Sequence, residues 1–304
     1  MGEEIRQENP VRRLEGTRRR HALLSAFPLH DNFLLMKIIF LLIATFCGSA
    51  LRAQQPDSAA PPIIQDNSFL VEEAYNQEAG IVQHISTFQM RRGSSDFDFV
   101  FTQEWPVRSV RHQLSYDIPI SRITSRTGIG DVGINYRYQL IGDGTTRLAA
   151  SPRLSLILPT GDWKESRGNG AVGFETNIPV SFVLTPWITT HSNVGGGFTP
   201  SARDSEGKRA GIFEWNLGQS AILTASSSIQ PMLEVVYSRG SEVVGTDTTQ
   251  RTEEFLISPG VRGAFNFASG LQIVPGIAFP LGVGPSNGER GVFLYLSFEH
   301  PFVH

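Results

Sequence analysis

The stretch GIGDVGINYRYQL, residues 128–140, sorts itself by alternate positions. Val132, Ile134, Tyr136, Tyr138 and Leu140 form one set, and Asp131, Gly133, Asn135, Arg137 and Gln139 form the other. A period of two describes a β-strand with two unlike faces. It does not say which face is inside. A soluble sandwich buries the apolar face, whereas a membrane barrel turns that face to lipid and lines its interior with the polar one.

The rest of the chain decides between them. From Ile81 onward it reads as strand and turn, in twelve segments: 81–90, 97–105, 110–118, 129–141, 146–158, 172–184, 187–199, 210–223, 229–238, 252–265, 270–279 and 289–299. Most are longer than an ordinary five- or six-residue strand and match the length that a tilted membrane strand requires. Their connections alternate between long and short, with long ones at 159–171, 200–209, 240–251 and 281–288. Outer-membrane barrels have this arrangement, with short turns on the periplasmic side and longer loops outside. Within the strands, Leu148, Leu154, Leu156 and Leu158 oppose Arg153 and Ser155, and Phe174, Ile178, Val180 and Phe182 oppose Glu175, Asn177 and Ser181. The expected fold is therefore all-β: a transmembrane, antiparallel, up-and-down β-barrel of about 12 strands. Trp105, Trp187, Trp215, Tyr237 and Tyr295 are candidates for the aromatic girdles of such a barrel.

The start of the chain supports export. MKIIFLLIATFCGSALRAQQ, from Met36, has a lysine, a short apolar run and the small residues Ala50 and Ala53, the layout of a signal peptide. The expected organisation is an upstream extension at 1–35 that is not native, a signal peptide at 36–53, a periplasmic arm at 54–80 and the barrel at 81–304. The only cysteine, Cys47, falls in the signal peptide, so neither a disulfide framework nor a cysteine metal site is expected. Residues 1–53 hold eight of the 26 basic and five of the 29 acidic residues, which leaves 18 basic and 24 acidic in the remainder. Nothing in this balance points to nucleic acid.

Strand parity turns a set of charges inward: Asp98, Glu104, Arg111, Asp117, Asp131, Arg137, Arg153, Glu175, Glu214, Glu234, Glu254 and Arg262. They form either a structural network filling the lumen or a polar path through it. The arm sequence FLVEEAYNQEAG, 69–80, can form a short helix, tether the chain in the periplasm, or enter the lumen as a plug through Phe69, Leu70, Glu72, Glu73 and Tyr75. Pro152, Pro179, Pro259 and Pro275 remove ladder donors from strands, which would weaken pairing where a lateral opening needs it.

Catalytic and metal readings are weak. Ser192 lies between His191 and Asn193, but successive strand residues point to opposite faces, so Ser192 and His191 cannot form a nucleophile–base pair. No GxSxG elbow is present. Asp131, Asp143 and Asp162 each adjoin glycine, which reads as turn chemistry rather than calcium binding. No enzyme activity, cofactor or metal is expected.

Three stretches, GIGDVGINYRYQL (128–140), PRLSLILPTGD (152–162) and GNGAVGFETNIPVSF (168–182), together resemble the outer-membrane family labelled "putative MetA pathway of phenol degradation", which is similar to the barrels that transport hydrophobic compounds. The closing VFLYLSFEHPFVH resembles the aromatic-ended last strand read by the barrel assembly machinery. The resemblance implies a bacterial outer-membrane channel or transporter for small, apolar or aromatic molecules, with membrane lipid and the assembly machinery as partners. The alternative is a non-transporting structural or interaction barrel that presents its loops.

Overall fold

The computed structural model describes residues 64–224, 226 and 228–301. The expected upstream extension and signal peptide at 1–53, the first part of the expected arm and the last three residues lie outside the described residues. Strands appear where the alternation places them: β1 (Ile81–Arg91), β2 (Phe97–Val107), β3 (Ser109–Ile123), β4 (Arg126–Ile129), β5 (Val132–Tyr138), β6 (Leu148–Ala150), β7 (Arg153–Leu158), β8 (Gly173–Thr185), β9 (Ile188–Arg203), β10 (Arg209–Leu223), β11 (Ile229–Gly245), β12 (Thr248–Gly263), β13 (Phe265–Asn266), β14 (Gln272–Ala278), β15 (Leu281–Gly282) and β16 (Gly291–Pro301). Four staves are each made of two pieces (β4/β5, β6/β7, β12/β13 and β14/β15), so the sheet has twelve staves. Each pairs antiparallel with its sequence neighbour. β1 pairs with β16, and β12 with β14, which closes the ring. Closure leaves no open sheet edge, a condition for backbone in a bilayer.

Burial is inverted relative to a soluble protein. Gln113, Ser115, Asn135, Arg137, Ser181, Asn193, Ser220, Glu234 and Ser258 are buried, while Ile134, Leu154, Phe174, Ile178, Val194, Phe213 and Leu233 are exposed. The stretch that posed the question resolves the same way. Ile134, Tyr136 and Leu140 face out, and Asn135, Arg137 and Gln139 face in. This is the arrangement of a barrel solvated by lipid.

The outer hairpins differ from expectation. Segments 200–209 and 240–251 are not long loops. β9 runs to Arg203 and β10 starts at Arg209, while β11 and β12 extend to Gly245 and from Thr248 around a tight turn at Asp247, whose φ is 53°. β3 likewise continues to Ile123, where Thr124 and Ser125 both adopt positive φ (50° and 69°), as a two-residue type I′ hairpin turn requires. Beyond the lipid both faces of a strand meet water, so alternation is lost although backbone pairing continues. The long connections that remain at this end are 159–172 and 283–290. Tyr295 also differs from expectation. It is buried in the lumen rather than placed in a girdle.

Two of the strand prolines sit at breaks. The β6/β7 stave is interrupted at Ser151 and Pro152 opposite Pro179, where the Ser151 N–H still donates to the Pro179 carbonyl at 3.2 Å. The β14/β15 stave is interrupted at Phe279 and Pro280 opposite Pro259, with one bond from the Phe279 N–H to the Pro259 carbonyl at 2.9 Å. Pro275 lies within an uninterrupted β14–β16 register. No strand pair is parted at any of these positions.

Because the exposed face is a lipid face, an inserted charge at mid-strand is costly. Ile178→Arg in β8 is expected to lower unfolding free energy by about 2–4 kcal/mol, the range for a cation at the bilayer midplane. Denaturant titration of the protein refolded in lipid vesicles measures it.

Candidate functional site

The short-turn end of the barrel is where the chain becomes unusual. Residues 64–80 do not form a helix and do not extend away from the barrel. They run around the inside of the wall. Asp66 is fixed to β16 and β1: Ser297 donates to its Oδ2 at 2.5 Å, Gln83 to its Oδ1 at 3.0 Å, and the Tyr295 hydroxyl also donates to Oδ1. Arg262 of β12 donates to the carbonyls of Ile64, Asp66 and Asn67. Next, one carboxylate oxygen of Glu234, on β11, accepts the N–H groups of Phe69, Leu70 and Val71 at 2.9, 2.9 and 3.1 Å. Asn193 of β9 accepts from the Glu72 N–H and donates to its carbonyl, at 2.7 and 2.8 Å. Ser181 of β8 accepts the Ala74 N–H, Gln139 after β5 the Asn76 N–H, and Gln113 of β3 the Gln77 N–H. The Gln77 side chain then meets Gln83 of β1 at 2.5 Å. In wall order this is a circuit from β16 and β1, through β12, β11, β9, β8, β5 and β3, back to β1. The arm is a collar.

The absence of a helix has a direct cause. A helix satisfies its own N–H groups, whereas here the wall's side chains take them one by one. The wall also makes room. An added Cβ at Gly276 would lie 2.4 Å from the Phe69 ring, one at Gly260 would lie 2.7 Å from it, and one at Gly218 would lie 2.9 Å from Val71. Phe69 packs into that recess against Phe293 and Tyr295, with ring centroids 5.7 and 5.4 Å apart.

The inward charges fall into three groups. Arg137 and Arg153 converge on Glu72 of the collar, at 3.2 and 2.7 Å, and Arg153 also bonds Asn135 and Ser155. Glu234 and Arg262 hold the collar backbone, and Glu104 is buried, accepting from Gln113 at 2.7 Å. Asp117 accepts from Thr102 and Asn135. On the wide side of the collar, Glu175, Glu214 and Glu254 line a cavity of about 280 Å³, together with Glu72, Arg153 and Asn177. Three residues lie apart from these groups. Asp131 accepts the N–H groups of Gly161 and Asn169 and so ties down the long 159–172 connection, and Arg111 is exposed at the short-turn end. Asp98 is exposed near the far end of β2. Among the named arm residues, Phe69, Glu73 and Tyr75 are buried, and Leu70 and Glu72 border the cavity. A second cavity, about 310 Å³, lies on the short-turn side, lined by Glu73, Tyr75, Gln77 and Glu299.

The two aspartates offered for calcium besides Asp131 serve turns: Asp143 accepts from Thr145, and Asp162 from the Lys164 N–H. Among the described residues no cluster of three or more metal-ligating side chains occurs. His191 does meet a serine, but it is Ser181 on the neighbouring strand, at 2.7 Å. Both are buried beneath the collar, and Ser181 is already committed to Ala74, so the pair belongs to the anchoring network.

No family model matches the chain, and no curated protein matches it. Among solved structures, it is similar to the COG4313 outer membrane channel from Pseudomonas putida F1, with a TM-score of 0.57 and 13% identity over 75% of this chain and 98% of that one. The fold is that of a bacterial outer-membrane β-barrel. The KdgM porin (TM-score 0.45, 10% identity, 73% of this chain and 99% of that one) and the CymD monoaromatic hydrocarbon channel (0.40, 9%, 75% and 90%) are more distant.

Glu234→Ala would leave three N–H groups without an acceptor, those of Phe69 and Val71 buried, at a cost of about 1–3 kcal/mol each, and that of Leu70 partly buried. Amide hydrogen exchange at Phe69, Leu70 and Val71 is expected to accelerate at least tenfold while the wall strands keep their protection.

Proposed function

We propose that this protein is an outer-membrane channel for small molecules, held closed in this state by its own collar. The observation that carries the reading is the collar's complete circuit of wall side chains at one end of a lipid-facing barrel. Recesses such as Gly260 and Gly276 receive the Phe69 ring of this 17-residue segment, so the wall is shaped to hold it inside the lumen. The collar separates a cavity on the short-turn side from the polar vestibule of similar volume, so moving it would join the two. An apolar or aromatic substrate, as the sequence resemblance implies, would meet Leu70 and Val236 in the vestibule, and carboxylates elsewhere.

The density of anchoring also supports a second reading, in which the collar is permanent and the barrel is structural or presents its loops to a partner. Planar-bilayer recordings separate the two. The full chain is expected to be silent or to conduct rarely. Deletion of 64–80 and Gly276→Ala, which expels the Phe69 ring, are both expected to open steady conductance, at least tenfold above the parent chain. Silence in both variants, with the barrel folded as judged by heat-modifiable gel mobility, would favour the structural reading.

A further inference from the structure

The vestibule above the collar carries an uncompensated charge. Its lining includes four carboxylates, Glu72, Glu175, Glu214 and Glu254, and one guanidinium, Arg153. Arg153 is already engaged by Glu72. Among the described residues Glu175, Glu214 and Glu254 have neither an ion pair nor a hydrogen bond. Two of them are held side by side by the sheet. Glu175 of β8 and Glu214 of β10 both stand opposite Gly197 of β9 in register. An added Cβ on Gly197 would lie 2.8 Å from Glu214 Oε1 and 3.2 Å from Glu175 Cγ, so both side chains lie across the space that glycine leaves open. Like charges so placed repel, and either a proton held by one carboxylate or a cation between the two relieves the repulsion.

A second observation points the same way. Asn177, 7% exposed and also lining the cavity, donates its amide N–H to Asn193 at 3.3 Å, but its Oδ1 is a buried acceptor with no donor. A buried acceptor without a donor is costly, and a ligand bearing N–H groups would satisfy it. The ligand chemistry is thus a donor and a positive charge together. Since no metal-ligating cluster occurs among the described residues, an organic ammonium fits better than a metal ion. An ammonium offers three donors and no acceptor, which matches two carboxylates and an amide oxygen. A cavity of about 280 Å³ admits a small amine with a short aliphatic body, whose methylenes would lie against Leu70 and Val236.

We infer that the vestibule is a binding site for small organic amines, with Glu175, Glu214 and Asn177 Oδ1 receiving the ammonium group. As the substrate site of a channel, this rests on the channel reading above; as a binding site, it stands without it. Isothermal titration of the full chain, refolded in detergent at low ionic strength, tests it with three probes of equal length: 1,4-diaminobutane, 1,4-butanediol and succinate. Saturable binding of one diamine per chain is expected, with the diol and the diacid at least tenfold weaker. Glu175→Gln combined with Glu214→Gln should weaken the diamine at least tenfold. Glu206→Gln, on the exposed turn between β9 and β10, should not. The double variant removes a repulsion, so it is expected to fold, and heat-modifiable mobility checks this. Absence of diamine binding, equal binding of succinate, or full retention in the folded double variant would overturn the proposal. The two readings fail separately. Diamine binding without conductance in the collar variants sinks the channel alone, and conductance without diamine binding sinks the amine site alone.

Discussion

Every feature of this chain follows from a closed ladder of backbone hydrogen bonds placed in lipid. Lipid offers no partner for an N–H or a carbonyl, so the sheet must join its first and last staves, here β1 and β16. Closure then reverses the usual distribution of side chains. The apolar set on each strand solvates itself in hydrocarbon, and the polar set has to be satisfied inside a space only a few side chains across. A ring of twelve staves lies between the eight-stranded barrels that side chains fill and the sixteen-stranded ones that hold a water-filled channel. In this chain the segment that precedes β1 runs inside the ring.

That segment works because it reverses the ordinary economy of a loop. Its backbone is polar and its own residues do not pair with one another, apart from a few contacts such as Ser68 to Val71. The wall supplies what is missing. Glu234 accepts three successive N–H groups, in the manner of a carboxylate at a helix N-terminus but without a helix. Glu72 supplies the negative charge that Arg137 and Arg153 would otherwise lack in a buried site. The dependence is mutual. Removing the collar would leave two arginines without that counterion and one buried glutamate without its donors, and breaking a buried pair from one side costs about 3–5 kcal/mol. A collar held in this way is tied to the wall from both sides, by its own charge and by the wall's acceptors.

The strands were legible because lipid and lumen impose a strict period of two, and the inward set including Glu234 and Arg262 followed from parity alone. Three things were not legible. The hairpin extensions at 200–209 and 240–251 lie beyond the bilayer, where both faces are hydrated and the alternation that marks a strand vanishes. Tyr295 looked like a girdle aromatic by residue type, but parity puts it inside, where Asp66 and Phe69 receive it. The collar's path was hidden because its partners, Asn193, Ser181, Gln139 and Gln113, are neutral residues that read as ordinary lumen lining. Their one shared signal is that each is an inward polar residue close to a short turn.

The inner-wall glycines connect these points. Gly218, Gly260 and Gly276 face the collar, and Gly195, Gly197 and Gly240 lie beside Asn216, Glu214 and Glu175, side chains that line the vestibule. Glycine weakens a strand, through both chain entropy and lost packing, so an inward glycine needs a close neighbour to justify it. In the first group that neighbour is the ring of Phe69 or the side chain of Val71. In the second it is Glu214 with Glu175 over Gly197, Asn216 over Gly195, and Glu214 again beside Gly240. One set of glycines therefore admits apolar side chains and fixes the collar. The other lets carboxylates and an amide lie flat against the wall and keeps the vestibule open. The same substitution, glycine to alanine, should act on different partners in the two places: at Gly276 it displaces the Phe69 ring of the collar, and at Gly197 it displaces Glu214 and Glu175 into the vestibule.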